Sequence, residues 1–131
     1  MKKHLLLILL TGIFIFASCS SDDDGATTGD IEATWNLVAS EPPLFDLEQC
    51  PNNPTITFNE DDTTEWTFYN AGNECAAESD SGEWQQNSDS NYTVTIPGYG
   101  SFDGTVVFQS EDEFTFSTSY QTFPVVLYFE K

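Results

Sequence analysis

The amino-acid sequence predicts an all-β domain, a meander of eight short antiparallel strands that closes into a barrel or a sandwich. Apolar and polar residues alternate with a period of two almost everywhere between residues 31 and 131. Thr, Val, Phe and Tyr, which favour strands, are frequent there. Turn-forming residues recur at short and even intervals, and no stretch of the domain has a convincing helical stripe.

Each predicted strand has one apolar face. Trp35 and Leu37 alternate with polar residues in the first strand, as Tyr92, Val94 and Ile96 do in the fifth. This pattern is typical of a strand that packs on a core with one face and meets water with the other. The eight predicted strands cover residues 34–40, 55–59, 63–69, 82–87, 91–96, 104–109, 113–118 and 124–130.

Polar or glycine-rich turns separate these strands. They include Asn59-Glu60-Asp61-Asp62, residues 87–90, Pro97-Gly98-Tyr99-Gly100 and Ser110-Glu111-Asp112. Cys50 and Cys75 lie at nearly equal distances before and after the first of these turns. Positions symmetric about a hairpin turn face each other at its open end. In an oxidising compartment the two cysteines therefore predict a disulfide, with two free thiols as the alternative.

The N-terminus has the pattern of a secretion signal. Lys2 and Lys3 precede an apolar run over residues 5–16, and the small residues Ala17 and Ser18 follow it. A run of this length is too short to cross about 30 Å of hydrocarbon as a permanent helix. The sequence thus predicts a signal peptide over residues 1–18, a tether over residues 19–30 and a β domain over residues 31–131.

The segment Phe16-Ala17-Ser18-Cys19 resembles the lipobox of bacterial lipoproteins, apart from Phe16, where leucine is commoner. The resemblance implies cleavage before Cys19 and lipidation of that cysteine, which would attach the protein to a membrane. Cys19-Ser20-Ser21-Asp22-Asp23-Asp24 also resembles the surface-export signal of lipoproteins in one Gram-negative phylum. That implies an anchor in the outer membrane that faces the cell exterior. The alternatives are a plain secretion signal and a merely solvated acidic tether.

The charge balance excludes several functions. From Cys19 onward the chain has one lysine, Lys131, against all 22 acidic residues, so the formal side-chain charge is −21. Nucleic-acid binding needs clustered Lys and Arg, and serine or cysteine nucleophiles usually need a His or Lys base. Zinc sites depend mainly on His and Cys. We therefore expect no nucleic-acid partner, no cofactor and no enzymatic activity.

Three stretches resemble the lipocalin-like lipoproteins of Gram-negative bacteria. These stretches are residues 31–38 around Trp35, the strand–turn–strand segment over residues 55–63, and Gly82-Glu83-Trp84. The resemblance covers residues 31–131 and implies an eight-stranded antiparallel barrel able to hold one small apolar ligand. In that family the tryptophan of the first strand plugs the barrel floor, often against a basic residue near the last strand. Because the chain has no arginine, we expect the barrel to be closed differently or filled with aromatic residues.

Four aromatic residues are candidates for ligand contact. Tyr99 and Phe102 lie in the glycine-rich segment PGYGSF, which we expect to be a loop, and Trp66 and Trp84 lie on apolar strand faces. The alternative to ligand contact is that the two tryptophans are core residues and that the loop only covers the barrel mouth. The acidic hairpin contains Glu60, Asp61, Asp62 and Glu65, whose carboxylates are possible calcium ligands. It lacks the residue spacing of an EF-type calcium-binding loop. We predict no metal site and no catalytic residue.

The sequence thus favours a surface-anchored, non-enzymatic lipoprotein whose module binds a small apolar molecule, a glycan or a protein. One alternative is a structural or interaction subunit of a cell-surface complex. A less favoured alternative is a glycosidase that works with two carboxylates, since that chemistry needs no other residue type.

Overall fold

The computed structural model describes residues 29–131. The predicted signal peptide, the predicted lipidation site Cys19 and the predicted tether up to residue 28 lie outside the described residues. Within the described part of the chain, no helix is long and apolar enough to cross a membrane.

The domain is a closed barrel of eight antiparallel strands, which confirms the predicted fold. Every strand pairs with its neighbours in chain order, and β8 pairs with β1 to complete the ring. The strands are β1 (Thr34–Glu41), β2 (Thr55–Phe58), β3 (Thr63–Asn70), β4 (Ala76–Gln86), β5 (Asn91–Ile96), β6 (Gly100–Ser110), β7 (Glu113–Tyr120) and β8 (Phe123–Glu130). A short 3-10 turn, Ala71–Asn73, joins β3 to β4.

Two strands begin earlier than their sequences predict. β4 starts at Ala76 rather than at residue 82, and β6 starts at Gly100 rather than at residue 104. The added part of β4 reads AAESDS and has no apolar face, yet it pairs with β3 residue by residue. Backbone pairing, which the alternation of side chains cannot reveal, therefore extends this strand.

The barrel has two distinct ends. The floor is the end at which the β2–β3, β4–β5 and β6–β7 hairpins turn, and the chain enters and leaves the barrel there. The mouth is the opposite end, formed by the β1–β2 loop over residues 42–54, the β3–β4 connection and the turns over residues 97–99 and 121–122.

The interior of the barrel is filled with side chains. Trp35, Leu37 and Ile56 are fully buried, and further aromatic and aliphatic residues from all the strands pack around them. Phe114 makes edge contact with Trp35 at 4.7 Å between ring centroids and stacks on Phe129 at 4.8 Å. The remaining interior cavity measures about 10 Å³. A cavity needs about 10–15 Å³ to hold a single water molecule, so the interior has room for one water at most.

Trp35 closes the floor together with the chain end. Its indole N–H donates a hydrogen bond to the Ile31 carbonyl at 2.8 Å, and Ile31 itself is buried. The Lys131 ammonium lies 4.8 Å from the centroid of the Trp35 ring, within the range of a cation–π contact. Aromatic rings therefore fill the interior, as expected, and Lys131, the residue after β8, supplies a cation at the floor in a chain that has no arginine.

Candidate binding site at the barrel mouth

A disulfide holds two loops of the mouth together. Cys50 in the β1–β2 loop is bonded to Cys75 in the β3–β4 connection, as their spacing predicts. The Ser40 hydroxyl fixes the start of the same loop, because it accepts a hydrogen bond from the Leu44 N–H and donates one to the Pro42 carbonyl. These bonds position the next residue, Phe45, over the mouth.

Aromatic rings cover the mouth from Phe45 outward. The ring of Phe45 lies 6.3 Å from that of Phe68 and 5.3 Å from that of Tyr99, measured between centroids. Phe68 stacks in turn on the buried Trp66 at 5.4 Å, and Tyr99 meets Tyr120 edge-on at 5.8 Å. The mouth is thus closed by a continuous aromatic layer that reaches from solvent down to the core.

A groove opens beside this layer, and we call it the mouth groove. It has a volume of about 390 Å³ and is lined by Phe45, Phe68, Glu78, Ser79, Asp80, Pro97, Gly98 and Tyr99. A larger and more open groove of about 530 Å³ on the outer wall is lined mostly by Ser, Thr and Asn residues. The mouth groove brings the three aromatic rings of Phe45, Phe68 and Tyr99 together with the carboxylates of Glu78 and Asp80.

Strand register explains why carboxylates enter the mouth groove. Glu78 is paired with Phe68 and Asp80 with Trp66, and residues paired across two strands point to the same face of the sheet. The inward face of β4 therefore carries two acids at the level where the barrel opens. Glu78 accepts a hydrogen bond from the Asn70 side-chain amide at 3.1 Å, and Asp80 accepts one from the Ser81 N–H at 2.9 Å.

The wall of the barrel is incomplete at this level. β4 pairs with β3 from Asn70 to Thr63, but within the described chain it pairs with β5 only at Trp84, Gln85 and Gln86. β5 does not reach residues 76–81 of β4, because β5 ends at Ile96 and the chain turns into β6 at Pro97-Gly98-Tyr99. Gly98 in this turn has a φ of +87°. Residues 76–81 of β4 consequently have a free edge on the side of the mouth groove, and residues 77–81 are exposed.

The predicted ligand residues have different positions. Tyr99 lies in the turn and lines the mouth groove with 39% of its surface exposed. The prediction that Phe102 lies in a loop is wrong. Phe102 belongs to β6, where it is half-buried against Tyr120. Trp66 and Trp84 are 1% and 8% exposed. Their indole N–H groups donate to the Thr95 and Asn59 carbonyls, so these two tryptophans belong to the core.

The acidic hairpin between β2 and β3 has a local structural role. The Asp61 carboxylate accepts hydrogen bonds from the hydroxyl and the backbone N–H of Thr63. These two bonds, the hydroxyl bond first, hold the pKa of Asp61 below its ordinary value. Among residues 29–131, no three His, Cys, Asp or Glu side chains are grouped so that they could hold a metal ion. The Asp61 carboxylate thus closes a turn.

Sequence reasoning missed most of the mouth groove. Phe45 lies in a loop without periodicity, and Glu78 and Asp80 lie between the predicted strands over residues 63–69 and 82–87. The pair Cys50 and Cys75 was the available signal, because a disulfide between them brings residues 45 and 78 to one end of the molecule.

Comparison with protein families gives one match. The family described as Lipocalin-like domain matches residues 31–116, which is more than half of the chain. Comparisons with curated proteins and with solved structures find no match. Together with the closed eight-stranded barrel, the match shows that this chain belongs to the lipocalin-like domain family.

Proposed function

We propose that this protein is a lipid-anchored, non-enzymatic binding module of the cell surface that recognises its partner at the mouth groove rather than inside the barrel. A lipocalin-like barrel is a fold suited to ligand binding, and three ligand classes are compatible with the sequence: a small apolar molecule, a glycan and a protein. The filled interior is the observation that carries the choice among them.

A ligand inside this barrel would have no room. Pockets for small molecules usually measure about 300–1,000 Å³, whereas the interior cavity measures about 10 Å³. To admit a ligand, the core would have to lose contacts of buried rings such as Trp66, Phe114 and Phe116. The mouth groove, at about 390 Å³, offers exposed rings and polar groups without that cost.

The side chains of the mouth groove also argue against catalysis. A glycosidase needs two carboxylates that flank the scissile bond from opposite sides. Glu78 and Asp80 lie two residues apart on one strand and therefore form a single wall of the groove. The described residues contain no histidine and no arginine that could act as a base or a phosphate clamp.

Native mass spectrometry of the protein purified from its own membrane tests where the ligand binds. We expect the mass of the mature chain with its acyl groups and no additional small molecule. A photo-crosslinking residue at position 99 should label a bound partner, whereas the same residue at the exposed position 107 on the outer wall should not. An apolar molecule retained at one per chain, or labelling from position 107 alone, would contradict the proposal.

The anchor is tested separately. Cys19→Ala should move the protein from the membrane fraction to the soluble fraction, while Cys50→Ser should leave it in the membrane. Protease added to whole cells should degrade the domain if it faces outward. An unchanged membrane fraction for Cys19→Ala would refute lipidation at that residue.

A further inference from the structure

We propose that the mouth groove binds an extended segment of a partner protein that carries lysine or arginine and adds as a further strand to the free edge of β4. The inference rests on the proposed function and specifies the partner of the same site. Two independent observations carry it, namely the unpaired strand edge and the chemistry of the side chains beside that edge.

The free edge offers backbone hydrogen bonds. β4 is held by β3 at eight consecutive positions, so residues 76–81 form a regular strand even though no strand covers their other side within the described chain. An exposed strand edge presents a row of N–H and C=O groups that an added strand can satisfy. Residues 77–81 are exposed, and the backbone N–H of Ser81 donates to the Asp80 side chain, so an added strand would pair with the remaining N–H and C=O groups of this edge.

The side chains select a cation. Glu78 and Asp80 place two carboxylates in the groove beside this edge, and the rings of Phe45, Phe68 and Tyr99 line the same groove. Residues two apart on an added strand point to the same face, so alternate residues of that strand would meet this surface. An ammonium or guanidinium there can pair with a carboxylate while it contacts an aromatic face.

Net charge argues against a second copy of this chain as the occupant. The described domain has one lysine against 19 acids, which are the 22 of the sequence less Asp22, Asp23 and Asp24. Edge-to-edge pairing of two copies would bring Glu78 and Asp80 against their own counterparts, and like charges placed opposite each other destabilise strand pairing. A basic segment of another protein has the complementary charge.

Fluorescence anisotropy with the full mature chain tests the inference. The probe is a labelled octapeptide in which lysine alternates with threonine. One control replaces its lysines by glutamate, and another is N-methylated on alternate backbone amides. We expect the basic peptide to bind at least tenfold more tightly than either control, because each control removes one of the two interactions.

Matched variants locate the site. Glu78→Gln with Asp80→Asn should weaken binding of the basic peptide about tenfold, since two charge pairs are lost. Glu111→Gln with Asp112→Asn removes the same charge from an exposed turn at the floor and should change the affinity less than twofold. Equal losses from both pairs would mean nonspecific attraction and would overturn the inference.

Two further results would overturn it. Equal binding of the N-methylated peptide would exclude strand addition, and competition by tetramethylammonium at the peptide's own concentration would indicate a small cation as the ligand. A sedimentation experiment that finds dimers at micromolar concentration would assign the edge to a second copy instead. Any of these results leaves the native mass spectrum unchanged, so failure of this inference is distinguishable from failure of the proposed function.

Discussion

Gly82 determines how closely two strands approach where the wall of the barrel begins to open. A Cβ atom at this position would lie 2.8 Å from the Thr95 carbonyl oxygen and 2.9 Å from the Thr64 hydroxyl. A backbone carbonyl in a sheet cannot move aside without loss of strand pairing. The absence of a side chain at Gly82 therefore allows β5 to pack against β4 just below the mouth groove.

Gly82→Ala should lower the free energy of unfolding by about 1–3 kcal/mol, the usual cost of overpacking. Urea denaturation followed by tryptophan fluorescence measures it. Gly72→Ala is the control, because its Cβ would meet only the exposed Asn70 side chain at 3.2 Å. Equal stability of the Gly82→Ala variant and the native protein would show that β4 and β5 are less closely packed than described.

Thr64 has a buried hydroxyl without a hydrogen-bond partner. The residue is 1% exposed, and its Oγ1 contacts no donor or acceptor within the described part of the protein. A buried polar group left unpaired costs about 1–3 kcal/mol. Thr64→Val should therefore raise the free energy of unfolding by about 1 kcal/mol, whereas Thr63→Val, which removes a hydroxyl bonded to Asp61, should lower it. A loss of stability in Thr64→Val would disprove this account of the hydroxyl.

The disulfide is the element that holds the mouth together. It joins residues separated by 25 positions and connects the loop that carries Phe45 to the start of β4. The chain-entropy model gives about 3.5 kcal/mol for a loop of this size. Cys50→Ser with Cys75→Ser should lower the free energy of unfolding by about 2–4 kcal/mol, and differential scanning calorimetry measures the change. A melting temperature that is the same with and without reductant would contradict this role.

Local patterns in the sequence predict most of the strands but little of the mouth groove. The alternation of Trp35 with Leu37 and of Tyr92 with Val94 and Ile96 reports directly which face of a strand is buried. The early part of β4 has no such alternation, because its inward residues Glu78 and Asp80 face the groove instead of the core. The filled interior depends on the summed volumes of side chains from all the strands, and no single segment reveals that sum.

Negative charge is spread over the whole domain, and it sets how stability depends on pH. Partial desolvation, followed by the nearby carboxylates of Asp30, Glu60 and Asp62, raises the pKa of Glu32 at the floor. A raised pKa in the folded state contributes stability that is fully present below the pKa of the unfolded chain and is lost as pH rises through the folded value. Asp61 has the opposite sign: its lowered pKa contributes stability that is lost as pH falls through its folded value.

The melting temperature should therefore rise as pH falls from 7 towards 4.5, the ordinary pKa of Glu32, and fall again below pH 3.8, the ordinary pKa of Asp61, as Asp61 protonates. At pH 7, about 0.5 M NaCl should also raise it, because salt screens the repulsion between exposed carboxylates. Glu32→Gln should reduce the gain between pH 7 and pH 4.5. A melting temperature that falls steadily from pH 7 to pH 4.5 would contradict the assigned signs.

Both ends of the described chain lie at the floor, where Ile31 enters beneath Trp35 and Lys131 leaves over the same ring. Strands of eight residues, such as β3, measure about 26 Å, or about 20 Å in height once tilted as in barrels of this size. An attachment made through the N-terminus thus reaches the barrel at the floor, and the mouth lies at the opposite end, about 20 Å away. A bilayer, a biosensor chip or a fusion partner attached at the N-terminus would leave Tyr99 and the β4 edge facing the surroundings, whereas a tag added after Lys131 would disturb only the base.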